Sequence, residues 1–181
     1  MDFNLIFLNR YLNVKYNLNY CLIDEKKLLE KIKDENELLF DTLNFLYMLE
    51  NEYILNIKNE KDFINTFYET FKQQNSDLIL GWFLDIKPEV KVFKRYKVDL
   101  MIYDNLLLKK IAIEIKYPLN KRKYWKLRTL LNQTFYYQNF CDYLIVVIQK
   151  NKYIEDRINE LYGMYNFLLE NNKKIFFYFL K

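Results

Sequence analysis

Three charged residues sit inside segments that otherwise read as buried strands. In "VDLMIYDNLLLKKIAIEIKYPLN", Val98 to Asn120, these are Asp99, Glu114 and Lys116. A desolvated carboxylate is unfavourable unless something pairs with it. Side chains two apart share a strand face, so Asp99 sides with Met101 and Tyr103, and Glu114 with Ala112 and Lys116. A turn at Asp104-Asn105 would bring Asp99 near Glu114 if one bulge or register offset intervenes. Two carboxylates and an amine on one patch have two readings. One is an ion pair at a sheet edge, which contributes little. The other is a pair of hard oxygen ligands for magnesium, with a lysine to orient water or neutralise charge developing on a phosphate.

Composition narrows the chemistry. The 181-residue chain has no histidine, which excludes imidazole acid/base catalysis, Ser-His-Asp and Cys-His nucleophiles, and imidazole zinc sites. Its two glycines, Gly81 and Gly163, allow neither a Walker A loop nor a GxGxxG cradle. Cys21 and Cys141 stand far apart without a CxxC partner, as two small buried hydrophobes in a reducing compartment would. The net charge of +4 is compatible with a polyanionic partner without demanding one. No apolar run reaches the roughly 20 residues of a membrane span, and the amino terminus lacks a secretory pattern. The expectation is a cytoplasmic protein with no membrane association.

The elements that must position these residues follow from periodicity. Asp24 reads as a helix cap, and Leu39, Leu43, Leu46 and Leu49 recur near a helical period. A further helix over about 60–74 carries Phe63, Phe67 and Phe71 on one face, and Glu60 and Glu69 besides. Beyond Gly81, "IKPEVKVFK", "KVDLMIY" and "LLLKKIAIEIKY" read as three strands, with Pro118 closing the third. A helix, the apolar strand "DYLIVVIQ", a second helix and the strand "KKIFFYFL" complete the order. This succession predicts an α/β fold, a mixed central sheet flanked by helices. Residues 1–58 are expected as a mostly helical extension and 59–181 as the core.

Two basic runs flank the acids. "NKRKYWKLR" sets Lys121, Arg122, Lys123, Lys126 and Arg128 around Tyr124 and Trp125, directly beyond the Glu114 strand. Such a run is either the ordinary basic start of a helix or a surface that neutralises phosphates and stacks bases. Lys91, Lys94, Arg95 and Lys97 border Asp99 on the other side, and neither run carries a base-reading code. Glu89 reads as an exposed edge charge rather than a further ligand.

Val98-Asp99, followed fifteen positions later by Glu114-Ile115-Lys116, resembles the PD-(D/E)XK motif of the restriction-endonuclease-like nuclease superfamily, with valine in place of the usual proline. The helix, three strands, helix and strand over roughly 60–148 are similar to that fold. Gln133 and Tyr137 in "QTFYY" resemble the QxxxY element of its recombination and exonuclease branches. Glu69 matches the helical acid that many members bring to the metal site, and Glu60 matches it less well. The resemblance does not cover the first 58 residues or so.

The resemblance implies a magnesium-dependent nuclease, with manganese as a substitute, hydrolysing DNA by attack of an activated water. Asp99, Glu114 and the backbone carbonyl of Ile115 would hold the metal. Lys116 would serve the water or the transition state, Glu69 would complete the site, and Gln133 and Tyr137 would orient the DNA. Lys121, Arg122, Lys123 and Arg128 would contact phosphates. Small members that cut two strands dimerise, and the helical amino-terminal segment is the natural place for such contacts. The rival readings are an inactive nucleic-acid-binding module on the same fold, and a protein-interaction module built on the aromatic helices.

Overall fold

The computed structural model describes residues 37–53, 57, 59–76, 84–93, 96–116, 125–137, 139–171 and 174–180. Helices α1 (Glu37–Tyr53) and α2 (Glu60–Ser76) precede strands β1 (Leu84–Phe93), β2 (Tyr96–Asp104) and β3 (Lys109–Lys116). Helix α3 (Trp125–Tyr137), strand β4 (Tyr143–Gln149), the single turn α4 (Lys152–Glu155), helix α5 (Ile158–Asn171) and strand β5 (Ile175–Leu180) follow. The Asp24 cap and Cys21 lie outside the described residues, as do Lys94, Arg95 and 117–124, which hold Lys121, Arg122 and Lys123.

The strands form one sheet in the order β1-β2-β3-β4-β5. The first two pairings are antiparallel and the last two parallel, so the α/β class with a mixed sheet stands as expected. Burial distinguishes the two edge strands. The middle of β4 and all of edge strand β5 are buried, the signature of strands covered on both faces, whereas the opposite edge strand, β1, leaves Lys87, Pro88 and Glu89 exposed. An edge is also where proline's missing N–H does no harm. Asp142 sets the parallel register. Its carboxylate accepts from the Lys110 amide and its own amide donates to the Lys110 carbonyl, both at 2.8 Å, just before Ile111 pairs with Tyr143.

Alternation along β5 separates the two helical layers. Tyr178 donates to the buried Glu50 of α1 at 2.8 Å, while its neighbour Phe177 packs against Tyr165 of α5, ring centroids 4.8 Å apart. Successive strand residues face opposite ways, so α1 and α5 cover opposite sides. Helix α2 joins α1 through Phe45, which meets Phe67 and Phe71 edge-on at 4.8 and 5.1 Å. Helix α3 joins α5 through Phe135 and Phe167 at 6.5 Å. Leu39, Leu43, Leu46 and Leu49 of α1 are buried in the same hydrophobic cluster as the sheet.

Two local devices aim the site. Asn59 caps α2, its Oδ1 accepting from the Asp62 amide at 3.0 Å, and this fixes Glu60 in the first turn, where the helix dipole favours an acid. The β2–β3 turn spans Asn105–Leu108 rather than two residues, because Asp104 Oδ1 accepts from the amides of Leu106 and Leu107 at 2.9 and 2.8 Å. That longer turn pairs Leu100 with Ile113, and one step further along puts Asp99 opposite Glu114 without any bulge.

Candidate functional site

The ladder between β2 and β3 ends at Leu100 and Ile113, and the next residues are the ones expected to do chemistry. Past that point the Asp99 side chain takes over from the backbone, its Oδ2 accepting from the Ile115 amide at 2.7 Å. One carboxylate oxygen thus caps the parting of the two strands. Glu114 lies in register with Val146 and Phe177, which places it on the face covered by α3 and α5. It is 2% exposed and Lys116 7%, so the pair is secluded from water. Lys116 Nζ donates to Glu114 Oε1 and, at 3.1 Å, to the carbonyl of Ile115. Glu114 Oε2 is buried with no hydrogen-bond partner.

The electrostatics follow from this crowding. Burial lifts Glu114 to about 8, aided by Asp99 and opposed by Lys116. Burial also lifts Asp99 to about 6, against the pull of Lys116 and of the Ile115 amide. Burial alone would lower Lys116, but the attraction of Glu114 and Asp99 outweighs it and the amine is raised. The two carboxylates cannot both ionise cheaply beside one ammonium, so near neutrality the cluster retains a proton on its acids while the amine stays charged.

Glu60 is the helical acid that this cluster feels. Its charge raises Asp99, Glu114 and Lys116 alike. Glu69 is not brought to the site. It lies nine residues on, about 13 Å along the axis and half a turn out of phase, exposed, with its charge felt by Lys72. The distinction depends on which side of α2 faces the sheet, and Phe63, Phe67 and Phe71 fix that phase.

Gln133 and Tyr137 meet as their spacing on α3 requires, Gln133 Nε2 donating to the Tyr137 hydroxyl at 3.1 Å. That hydroxyl donates in turn to the Lys97 carbonyl at 2.6 Å, fastening α3 to the start of β2 two residues before Asp99. Tyr137 titrates higher than a free phenol, first through burial and then through the charge of Glu114. Gln133 Oε1 is buried and unpartnered, so two unsatisfied oxygens lie in this region, one on Glu114 and one on Gln133.

The remaining candidates are dispersed. Arg128 falls in the first turn of α3. Glu89 is exposed on β1, pairs with Lys97 at 3.7 Å, and holds a left-handed φ of 49°. It lies opposite Asp99 and adds to that carboxylate's rise. Cys141 is buried, its thiol pushed up to about 12.

Could this cluster hold a metal? Among the described residues no group of three or more acids or cysteines is gathered for one. The centre is a two-carboxylate site with a backbone carbonyl beside it. Its donors are all hard oxygens, and the buried, unpartnered Glu114 Oε2 has an open coordination need, which fits Mg²⁺ or Mn²⁺. Asp99, Glu114 and Ile115 would hold the ion. Among the described residues, no helix is long and apolar enough to cross a membrane. Tyr96 and Tyr136, which stack beside the site, carry no sequence signal, because only the fold brings the start of β2 to the end of α3. No protein-family model, curated protein or solved structure matches the chain.

Proposed function

We propose that the protein is a magnesium-dependent nuclease that hydrolyses DNA phosphodiester bonds, on a restriction-endonuclease-like version of the α/β fold. The observation that carries this reading is Glu114 Oε2, a buried oxygen without a partner, facing the same side as Asp99 where β2 and β3 separate. A carboxylate is not left unsatisfied in an apolar setting without an outside partner to complete it. The strand order supports the fold, with acids on the second and third strands, α2 before them and α3 after.

Bound there, a divalent cation would lower the pKa of a water and offset charge on the scissile phosphate. The chain's residues divide the remaining work. Asp99 fixes the β3 backbone through Ile115, so the Ile115 carbonyl and Glu114 keep a constant spacing. Lys116, with its amine already lodged between those two oxygens, supplies a positive charge that can turn toward a phosphate oxygen in the transition state. Glu60 adds negative potential from the helix end. Gln133 steadies Tyr137, and with it the packing of α3 beside the acids.

A second reading has one observation in its favour: Lys116 already satisfies Glu114 Oε1, as a purely structural ion pair would. In that case the fold binds nucleic acid without cutting it. Incubation of labelled circular, linear and single-stranded DNA with Mg²⁺ or Mn²⁺ separates the two. The nuclease reading expects metal-dependent cleavage that falls about 100-fold or more in Glu114→Ala and Lys116→Met. Metal-independent retention of every substrate intact would leave the binding module.

A further inference from the structure

Tyr96 at the start of β2 and Tyr136 near the end of α3 stack with ring centroids 4.6 Å apart and planes inclined by 21°. Tyr96 also meets Tyr137 edge-on at 6.4 Å, and Tyr137 is the ring whose hydroxyl is held at Lys97 and feels both Glu114 and Asp99. The stacked pair is thus tied, through Tyr137, to the β2 backbone two residues before Asp99. Its outer member is not sealed in. Tyr136 remains 43% exposed even though Tyr96 covers one of its faces. The adjoining Lys97 side chain is 59% exposed.

We infer that the Tyr96–Tyr136 stack is a platform for an unpaired nucleobase, which makes single-stranded DNA, or a frayed strand end, the preferred substrate. The inference rests on the nuclease reading of the acid cluster, which the platform extends from the phosphate to the base. A base inside a duplex has both π-faces occupied by its neighbours, so a flat aromatic surface of this kind can be used only by an unstacked base or by the outer face of a terminal pair. Tyr96 sets the plane of Tyr136, and the ring is thus held ready rather than ordered on binding.

A stack that merely pins β2 to α3 would look similar at rest, so the test reads base stacking directly. A short single strand carrying 2-aminopurine at an internal position, and a duplex of the same sequence closed at both ends by hairpin loops, are titrated with the full chain in EDTA. Wild-type protein is expected to quench the 2-aminopurine on binding. Tyr136→Leu, shown by circular dichroism and melting to be folded, is expected to lose the quench and to bind the single strand about tenfold more weakly, with duplex affinity within about twofold. Tyr136→Trp keeps the quench and the affinity. Equal losses for both substrates, or wild-type binding without quenching, would overturn the platform. Cleavage in Mg²⁺ is scored separately: Tyr136-dependent quenching without cleavage removes the nuclease reading and leaves the base site, whereas cleavage with no single-strand quench does the reverse.

Discussion

At the scale of single residues, the candidate site is governed by one contest, between burial that opposes charge and an ammonium that invites it. Glu114 titrates near 8 in the folded chain against an ordinary value of 4.5, and Asp99 near 6 against 3.8. Between the ordinary and the raised values the folded chain retains protons that the unfolded chain has released, so stability falls as pH rises. The protein is therefore expected to lose stability progressively between about pH 4 and pH 8 and to level off above, read from urea unfolding at a series of pH values. In Glu114→Gln the part of that decline between pH 6 and 8 disappears; an unchanged slope would mean the acid is ionised throughout. The identities of Asp99, Glu114 and Lys116 were legible from sequence because charge inside apolar strands is conspicuous. Choosing Glu60 over Glu69 was not legible, since it requires the rotational setting of α2 against the sheet. Tyr96 and Tyr136 were invisible for a similar reason, being forty residues apart and joined only in three dimensions.

At the scale of elements, the β2–β3 turn sets the register on which the site depends. Alternation and apolar runs revealed the strands themselves, and Asp104-Asn105 revealed that the chain reverses there. Turn length was hidden, because an Asx-type closure by Asp104 onto Leu106 and Leu107 lengthens the loop without changing its residue signature. Two substitutions should move stability in opposite directions. Asp104→Ala removes two side-chain to backbone hydrogen bonds and is expected to destabilise by about 1–2 kcal/mol. Leu108 holds a φ of 53°, which glycine adopts freely, so Leu108→Gly is expected to gain about 1 kcal/mol. Thermal melts of the two variants against wild type check both signs. A hairpin tip of three leucines between 53% and 82% exposed gives Leu108 little packing to lose.

At the scale of the whole molecule, stability should be graded across the sheet. Strands β3 and β4 are paired on both sides and buried along most of their length, while β1 has one free edge with an exposed proline and an irregular register near Lys91 and Phe93. Native-state hydrogen exchange is expected to show the slowest amides in Ile113–Ile115 and Leu144–Ile148, with those of β1 exchanging at least tenfold faster; uniform protection would contradict this grading. The class of fold could be anticipated because strand and helix periods alternate plainly through the second half of the chain. The partnership of α1 with the core could not, because it rests on Glu50 reaching Tyr178 and on Phe45 reaching α2, contacts that no local pattern encodes.

The amine of Lys116 is held by one Glu114 oxygen and by the Ile115 carbonyl, and it leaves the second Glu114 oxygen open. The chain thus folds with a counterion of its own set beside its buried acids. On the proposed nuclease reading, a cation at the open Glu114 oxygen would compete with that ammonium, and Lys116 would be released toward the phosphate whose charge it is proposed to offset.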